Sequence, residues 1–270
     1  MSVFTESYSK EQIKNVQRAL NEICYVDGKN FVPLKPDGVF GALSVAMLKK
    51  AQEYKGYPVT GVYDGPIQEY CADLIDRKYI SDAQLRELAA KYEIEYAMLK
   101  AFTLVESKES GFLPSGRCVI LFERHKFYQA LKAKLSKDEL NYYATTYPDI
   151  VNISSGGYLG LEREWDRLNR AKTIDPRAAL ESASWGLGQV MGFNAKLIGY
   201  SAVFQMVDEF TISEKNQVEG MLKFCRATPV LFKALKDKDF PKIARYYNGP
   251  NYAINKYDVK LSEAYSRFEG

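Results

Sequence analysis

Residues 94–111 read IEYAMLKAFTLVESKESG, and Glu106 stands where an apolar helical run gives out. Ala97, Met98, Ala101, Phe102 and Val105 share one face at helical spacing. Glu106 lies on the flank of that stripe, one turn beyond Phe102, at the negative end of the helix dipole. Apolar neighbours and a negative dipole end both disfavour a carboxylate anion. The pKa should therefore rise, which a general acid working at neutral pH requires. The competing reading is a solvated glutamate at a helix end, and the rest of the chain weighs between the two.

The chain carries one histidine, His125. Zinc hydrolases need two or more histidines or a tight Cys/His set, and neither is available. A Ser–His–Asp or Cys–His site could be built only around His125. Hydrolysis that runs on carboxylates needs no histidine. Two later stretches have the chemistry of a sugar groove. In ESASWGLGQVMGFN (181–194), small residues let backbone approach a ligand, and Trp185 and Gln189 offer a stacking face and an amide. In ARYYNGPNYAINKYD (244–258), Tyr246, Tyr247, Tyr252 and Tyr257 interleave with Asn248, Asn251 and Asn255. Packing is the competing account of each tyrosine taken singly.

These groups need elements to hold them. At 270 residues, 46% hydrophobic and 26% charged, the chain has room for two unequal globular domains. QIKNVQRALNEI, ALSVAMLKKAQEY and PIQEYCADLIDRKYI predict three helices before residue 80, with Ile13, Val16, Leu20 and Ile23 along the first. Asp37-Gly38-Val39-Phe40 and Thr60-Gly61-Val62-Tyr63 echo each other as turns that lead an aromatic into a small core. RKYISDA (78–84) reads as the boundary, with Ser81 or Asp82 capping the next helix and Leu85 and Leu88 on its inner face. Helical patterns dominate beyond it. CVILFERH is the exception, too short to assign to strand or helix.

The net charge of +3 is too small for a nucleic-acid-binding footprint, and residues 1–80 hold ten basic and ten acidic side chains. The N-terminus lacks a secretory pattern and no apolar run reaches the length of a membrane span. Cys24, Cys71, Cys118 and Cys225 are widely spaced, as expected of reduced, buried thiols in a cytoplasmic product.

Residues 12–75 resemble the three-helix peptidoglycan-binding domain of cell-wall hydrolases, through Gln17-Arg18-Ala19-Leu20, Asp37-Gly38-Val39-Phe40-Gly41 and Pro58-Val59-Thr60-Gly61-Val62. Ala51-Gln52 departs from that pattern, where Phe usually precedes Gln. Three later pieces resemble the lysozyme-like superfamily of goose-type lysozymes and lytic transglycosylases: Glu106-Ser107, Ser184 to Met191, and Ala244-Arg245-Tyr246-Tyr247-Asn248-Gly249. The likeness is closer to the N-acetylmuramidase domain of modular phage endolysins, over about residues 83–268. Lys108-Glu109 departs from it, small residues being commoner there.

The resemblance implies a mainly α protein, with a peptidoglycan-binding domain at 1–80 and a lysozyme-like catalytic domain at 81–270. It implies cleavage of the β-1,4 bond between N-acetylmuramic acid and N-acetylglucosamine, with Glu106 as general acid. Ser184, Gln189, Tyr247 and Asn248 would line the substrate groove. Glu123 is the first choice for a second catalytic carboxylate, with an ion pair to Arg124 or Arg117 as its structural alternative; Glu109, Asp149 and Glu181 follow. His125 would orient a neighbour or pack. The partner expected is peptidoglycan, without nucleic acid or membrane insertion, for a monomer needing no metal or organic cofactor. Such a protein accumulates in the host cytoplasm and reaches the wall through a lesion made by another protein. A lytic transglycosylase using the substrate's own 6-hydroxyl is the nearest alternative. A Cys118–His125 amidase or peptidase ranks below it, because nothing near Cys118 lowers its pKa.

Overall fold

A computed structural model describes residues 7–25, 31–106, 110–250 and 252–269. The chain divides into two compact units, the first made of residues 1–79 with 112–117 and the second of 80–111 with 118–270. Residues 112–117 thus fold with the N-terminal unit.

The first unit holds α1 (Lys10–Cys24), α2 (Ala42–Tyr54) and α3 (Gly65–Lys78). A reciprocal capping box starts α1: the Ser9 hydroxyl accepts from the Gln12 N–H, and the Gln12 side chain accepts from the Ser9 N–H. The buried face of α1 centres on Val16, Ala19, Leu20 and Cys24, which meet Leu48, Ala51, Tyr63, Ile67 and Cys71. Ile13 and Ile23 flank that face rather than fill it.

The two echoing turns have a common anchor. Gln17 and Gln52, each 2% exposed, hold one turn apiece. The amide oxygen of each accepts from a glycine N–H, Gly38 or Gly61, at 3.0 Å. The amide nitrogen of each donates to the next carbonyl, Val39 or Val62, and to the side chain that opens the turn, Asp37 or Thr60. Both glycines have φ near +75°, a conformation that costs a residue with a Cβ. Tyr63 enters the core as expected, whereas Phe40 packs against it only in part. Residues 112–117 form a turn closed by Leu113 N–H to Arg117 O and Gly116 N–H to Leu113 O. The buried Lys78 ammonium ties that turn down, meeting both Glu22 oxygens at 2.8 and 2.9 Å and donating to the Gly116 carbonyl at 2.7 Å.

The second unit opens with α4 (Asp82–Tyr92), capped by Ser81 and Gln84 in another reciprocal box, and α5 (Tyr96–Glu106). Then follow β1 (Ile120–Phe122), α6 (Arg124–Lys132), α7 (Lys137–Thr146), α8 (Glu162–Lys172), α9 (Pro176–Glu181), β2 (Ala183–Trp185) and β3 (Val190–Met191). The unit closes with α10 (Val203–Phe210), α11 (Glu214–Ala227), α12 (Pro229–Asp237), α13 (Phe240–Asn248) and α14 (Tyr257–Ser266). The CVILFERH stretch resolves into β1 running directly into α6. The three short strands form an antiparallel sheet in chain order, with Ile120 opposite Trp185 and Ser184 opposite Met191. Among the described residues no helix is long and apolar enough to cross a membrane.

A wholly buried ion pair fixes this sheet. Glu164 and Arg167 have no solvent-exposed side-chain surface and lie 2.7 Å apart. Glu164 also accepts from the backbone N–H groups of Phe122, Leu159 and Gly160, and Arg167 donates to the carbonyls of Phe122 and Asp149. Those backbone bonds outweigh burial and hold the Glu164 pKa below its ordinary value. Glu164→Ala would strand the guanidinium in the interior. Removing one partner of such a pair should cost about 3–5 kcal/mol, read as a lower midpoint in chemical denaturation followed by tryptophan fluorescence. An unchanged midpoint would refute the structural role assigned to the pair.

Candidate active site

Glu106 is the last residue of α5, and the helix turns its Ala97, Met98, Ala101 and Phe102 face into the core. That packing carries the terminal carboxyl into apolar surroundings while part of the residue remains open to solvent. Burial raises its pKa from 4.5 to about 8, so the group is largely protonated at neutral pH. Asn248, at the end of α13, donates its amide to Glu106 Oε1 at 3.0 Å. A neutral carboxyl can accept that bond on one oxygen and keep its O–H on the other. The competing reading, a solvated cap, is therefore not what forms. Ser107, Lys108 and Glu109 lie outside the described residues, as does Asn251.

Tyr247, beside Asn248, sets its ring edge-on to Phe102 at 4.9 Å and to Phe224 at 5.9 Å. Its hydroxyl donates to the Gly188 carbonyl at 2.7 Å. Burial, and then the Glu106 charge, raise the pKa values of Tyr247 and Cys225 well above their ordinary values. Tyr257 is raised by the same two causes in the same order. Ionisable neighbours of Glu106 are thus kept neutral, and burial is what raises its own pKa.

The stretch 184–191 folds as a tight turn between β2 and β3. Ser184 Oγ donates to Gln189 Oε1 at 2.9 Å, and Gln189 Nε2 donates to the Gly186 carbonyl at 2.7 Å. Gln189 has φ +48°, an uncommon setting for a side-chain-bearing residue, which its own two bonds help to hold. Glycine at 188 is a packing requirement. A Cβ there would lie 2.8 Å from both Met221 Sδ and Tyr247 Oη. Trp185 is fully buried and donates its indole N–H to the Leu180 carbonyl, so it offers no stacking face. Gln189 spends its amide on the turn, and Tyr247 its hydroxyl on the same turn.

One helix that sequence reasoning passed over arranges these parts. Glu214 in α11 accepts from Ser110 Oγ and the Gly111 N–H, just beyond Glu106, and from the Ile80 N–H. Gln217, fully buried, accepts from the Leu187 N–H and donates to the Phe210 carbonyl, with further contacts to Gly111 O and Cys118 Sγ. Met221 packs against Gly188, and Cys225 lies within electrostatic reach of Glu106 and Tyr247. The spacing 214, 217, 221, 225 was readable as a helix face. Nothing local in the sequence says what its polar members hold.

Glu123 caps the start of α6 and continues β1 through its N–H bond to the Ser182 carbonyl. Both its oxygens accept from the Tyr158 hydroxyl, at 3.0 and 2.9 Å. His125 Nδ1 lies 3.2 Å from Glu123 Oε2 without the alignment of a hydrogen bond. Arg124 does not pair with Glu123, contrary to the alternative raised from sequence. Its guanidinium donates instead to the carbonyls of Pro148, Ser154 and Ser155. Asp149 is paired with Arg170 and Glu181 with Arg177 near the surface. Cys118 is buried against Gln217. All four cysteines are buried, and among the described residues no disulfide joins them. Among the described residues no cluster of three metal-ligating side chains occurs.

A raised carboxyl pKa makes folding pH-dependent. Because the fold favours the neutral form of Glu106, its contribution is fully present below about pH 4.5 and is lost as pH rises through about 8. Glu106→Gln cannot ionise. The melting temperature of the variant relative to the unsubstituted protein should therefore increase between pH 5 and pH 9. A difference that stays flat over that range would mean the carboxyl is not held neutral by burial.

The N-acetylmuramidase family model matches residues 95–269, and the peptidoglycan binding domain model matches residues 9–66. No curated protein matches the chain. Among solved structures, the crystal structure of Burkholderia AP3 phage endolysin matches with 36% sequence identity and a TM-score of 0.68, over 95% of each chain. Glu106 at the end of α5 and the β2–β3 turn facing Tyr247 lie within residues 95–269 of the muramidase match. The chain belongs to the N-acetylmuramidase family, glycoside hydrolases of the lysozyme type, and carries a peptidoglycan-binding domain ahead of its catalytic domain.

Proposed function

We propose that the protein is a phage endolysin that cleaves the β-1,4 bond between N-acetylmuramic acid and N-acetylglucosamine, with Glu106 as general acid. The supporting observation is the carboxyl itself, buried, raised to a pKa of about 8 and oriented by Asn248. In this reading Glu106 protonates the glycosidic oxygen as the bond to the anomeric carbon breaks, and the leaving sugar departs as a neutral alcohol. Asn248 orients the acid, while Ser184, Gln189 and Tyr247 shape the wall of the groove. The protein is made in the host cytoplasm, gains the wall after another protein breaches the membrane, and lyses the cell. Residues 1–80 anchor it and residues 81–270 cut.

Glu106→Gln should lower the turnover number at least about a hundredfold with the fold intact. In the unsubstituted enzyme, activity should decline as pH rises through about 8, because the acid must be protonated to act. Mass spectrometry of digested sacculi should find reducing muramic ends. Anhydro ends would favour the transglycosylase, and freed peptides an amidase. Near-normal lysis by folded Glu106→Gln would refute the assignment.

Glu123 is proposed as the second carboxylate, which activates water or stabilises the positive charge at the anomeric carbon. Its support is that the Tyr158 hydroxyl donates to both its oxygens and His125 stands beside them. Glutamine can still accept from Tyr158. Glu123→Gln should therefore lose activity at least about tenfold with a nearly unchanged melting temperature. Loss of both together would make the residue structural.

A further inference from the structure

The N-terminal unit carries a groove of about 660 Å3 walled by α1, α2 and the segment 32–41. Its surface is aliphatic. Val32, Val39 and Leu43 are 80%, 63% and 79% exposed, and Pro33, Ala46 and Met47 continue the wall. An apolar cluster left this open on a small unit marks a binding surface more often than chance exposure does. Among the described residues no aromatic ring lines it. Sugar sites draw on ring stacking, and this groove offers no ring.

The polar floor is already spent. Gln17 uses its amide on Asp37, Val39, Ser44 and the Gly38 N–H. Asp37, the one carboxylate in the groove, accepts from the Val39 N–H and from Gln17, and these bonds lower its pKa. Two cations remain for a ligand. Lys35 and Lys50 stand at the groove and form no ion pair among the described residues, although Lys35 lies within electrostatic range of Asp37 and Lys50 approaches the Tyr54 ring. The chemistry left over is small and aliphatic in the middle, with positive charge at the edge.

We infer that this groove takes the peptide stem of peptidoglycan rather than its glycan strand. The stem is a short chain of alanyl methyls and methylenes bearing free carboxylates, complementary to the wall and to the two lysines. The inference rests on reading the N-terminal unit as the wall-binding part. Two lysines give only a modest electrostatic share, so binding should fall no more than a few-fold between low and physiological salt.

The test uses full-length protein carrying Glu106→Gln, so that substrate survives. Sedimentation is compared on intact sacculi and on sacculi stripped of stems by an amidase. Binding should drop at least about fivefold on the stripped material. Leu43→Asp should cause a similar drop on intact sacculi. Leu43 is exposed at the start of α2, where an acidic residue suits the helix dipole, so the fold should stand. Synthetic stem tetrapeptides, in their diaminopimelate and lysine forms, should shift the methyl resonances of Val39, Leu43 and Met47. Peptide-free glycan strands should not. Equal binding to stripped sacculi, full binding by Leu43→Asp, or unmoved methyls would each overturn the stem assignment while leaving wall binding in place. Failure of the parent protein to sediment with intact sacculi would overturn the wall-binding reading, and the stem assignment with it.

Discussion

The placement of Glu106 depends on α11. Its inward face presents Glu214, Gln217, Met221 and Cys225 on successive turns, and together they meet the segments around the site. Glu214 and Gln217 catch residues 110–111, just past the end of α5, and Gln217 also holds the turn after β2 at the Leu187 N–H. Met221 closes against Gly188, and Cys225 keeps the surroundings of Glu106 apolar. A buried amide such as Gln217 earns its place only when nearly all its bonding capacity is used, since an unmet polar group in the interior costs about as much as a lost hydrogen bond. It meets that condition by joining segments that are about a hundred residues apart. Gly111 and Gly186 lack side chains where Gln217 passes, because a Cβ at either would overlap its amide.

The neutral carboxyl of Glu106 is obtained by giving up stability. A carboxyl moved from water into an apolar site stays neutral, and its ionisation at high pH then works against the fold. The surrounding groups are arranged consistently with this. Tyr247, Cys225 and Tyr257 remain protonated, and Asn248 supplies a dipole rather than a charge. Opposite treatment is given to Glu164, wholly buried but surrounded by Arg167 and three backbone N–H groups, which keep it ionised. Two glutamates in one unit thus differ in protonation because one is given donors and the other is given hydrocarbon.

In the N-terminal unit, repetition of a single bond pattern explains both the echo in the sequence and its chemistry. Gln17 and Gln52 each occupy the donor and acceptor groups of a glycine turn. The polar residues that look suited to ligand binding are therefore engaged inside the unit. What remains at the surface is aliphatic and cationic, a division that the pattern of residue types alone does not reveal.

The amino-acid sequence by itself determined the helices of both units, the cap at Ser81 and the apolar flank of Glu106. Each of these depends on residues within one or two turns of one another, where periodicity and caps act directly. Family resemblance also singled out the stretch 184–191, which the structure sets against Tyr247. Only the tertiary structure decided that Trp185 is buried, that Arg124 turns to backbone carbonyls instead of Glu123, that Asn248 reaches Glu106 across 142 residues, and that residues 112–117 fold with the first unit. The physical reason is common to all four. A polar side chain buried by distant segments bonds to whatever groups those segments bring, and burial, which makes that bond obligatory, comes into being only when the chain has folded.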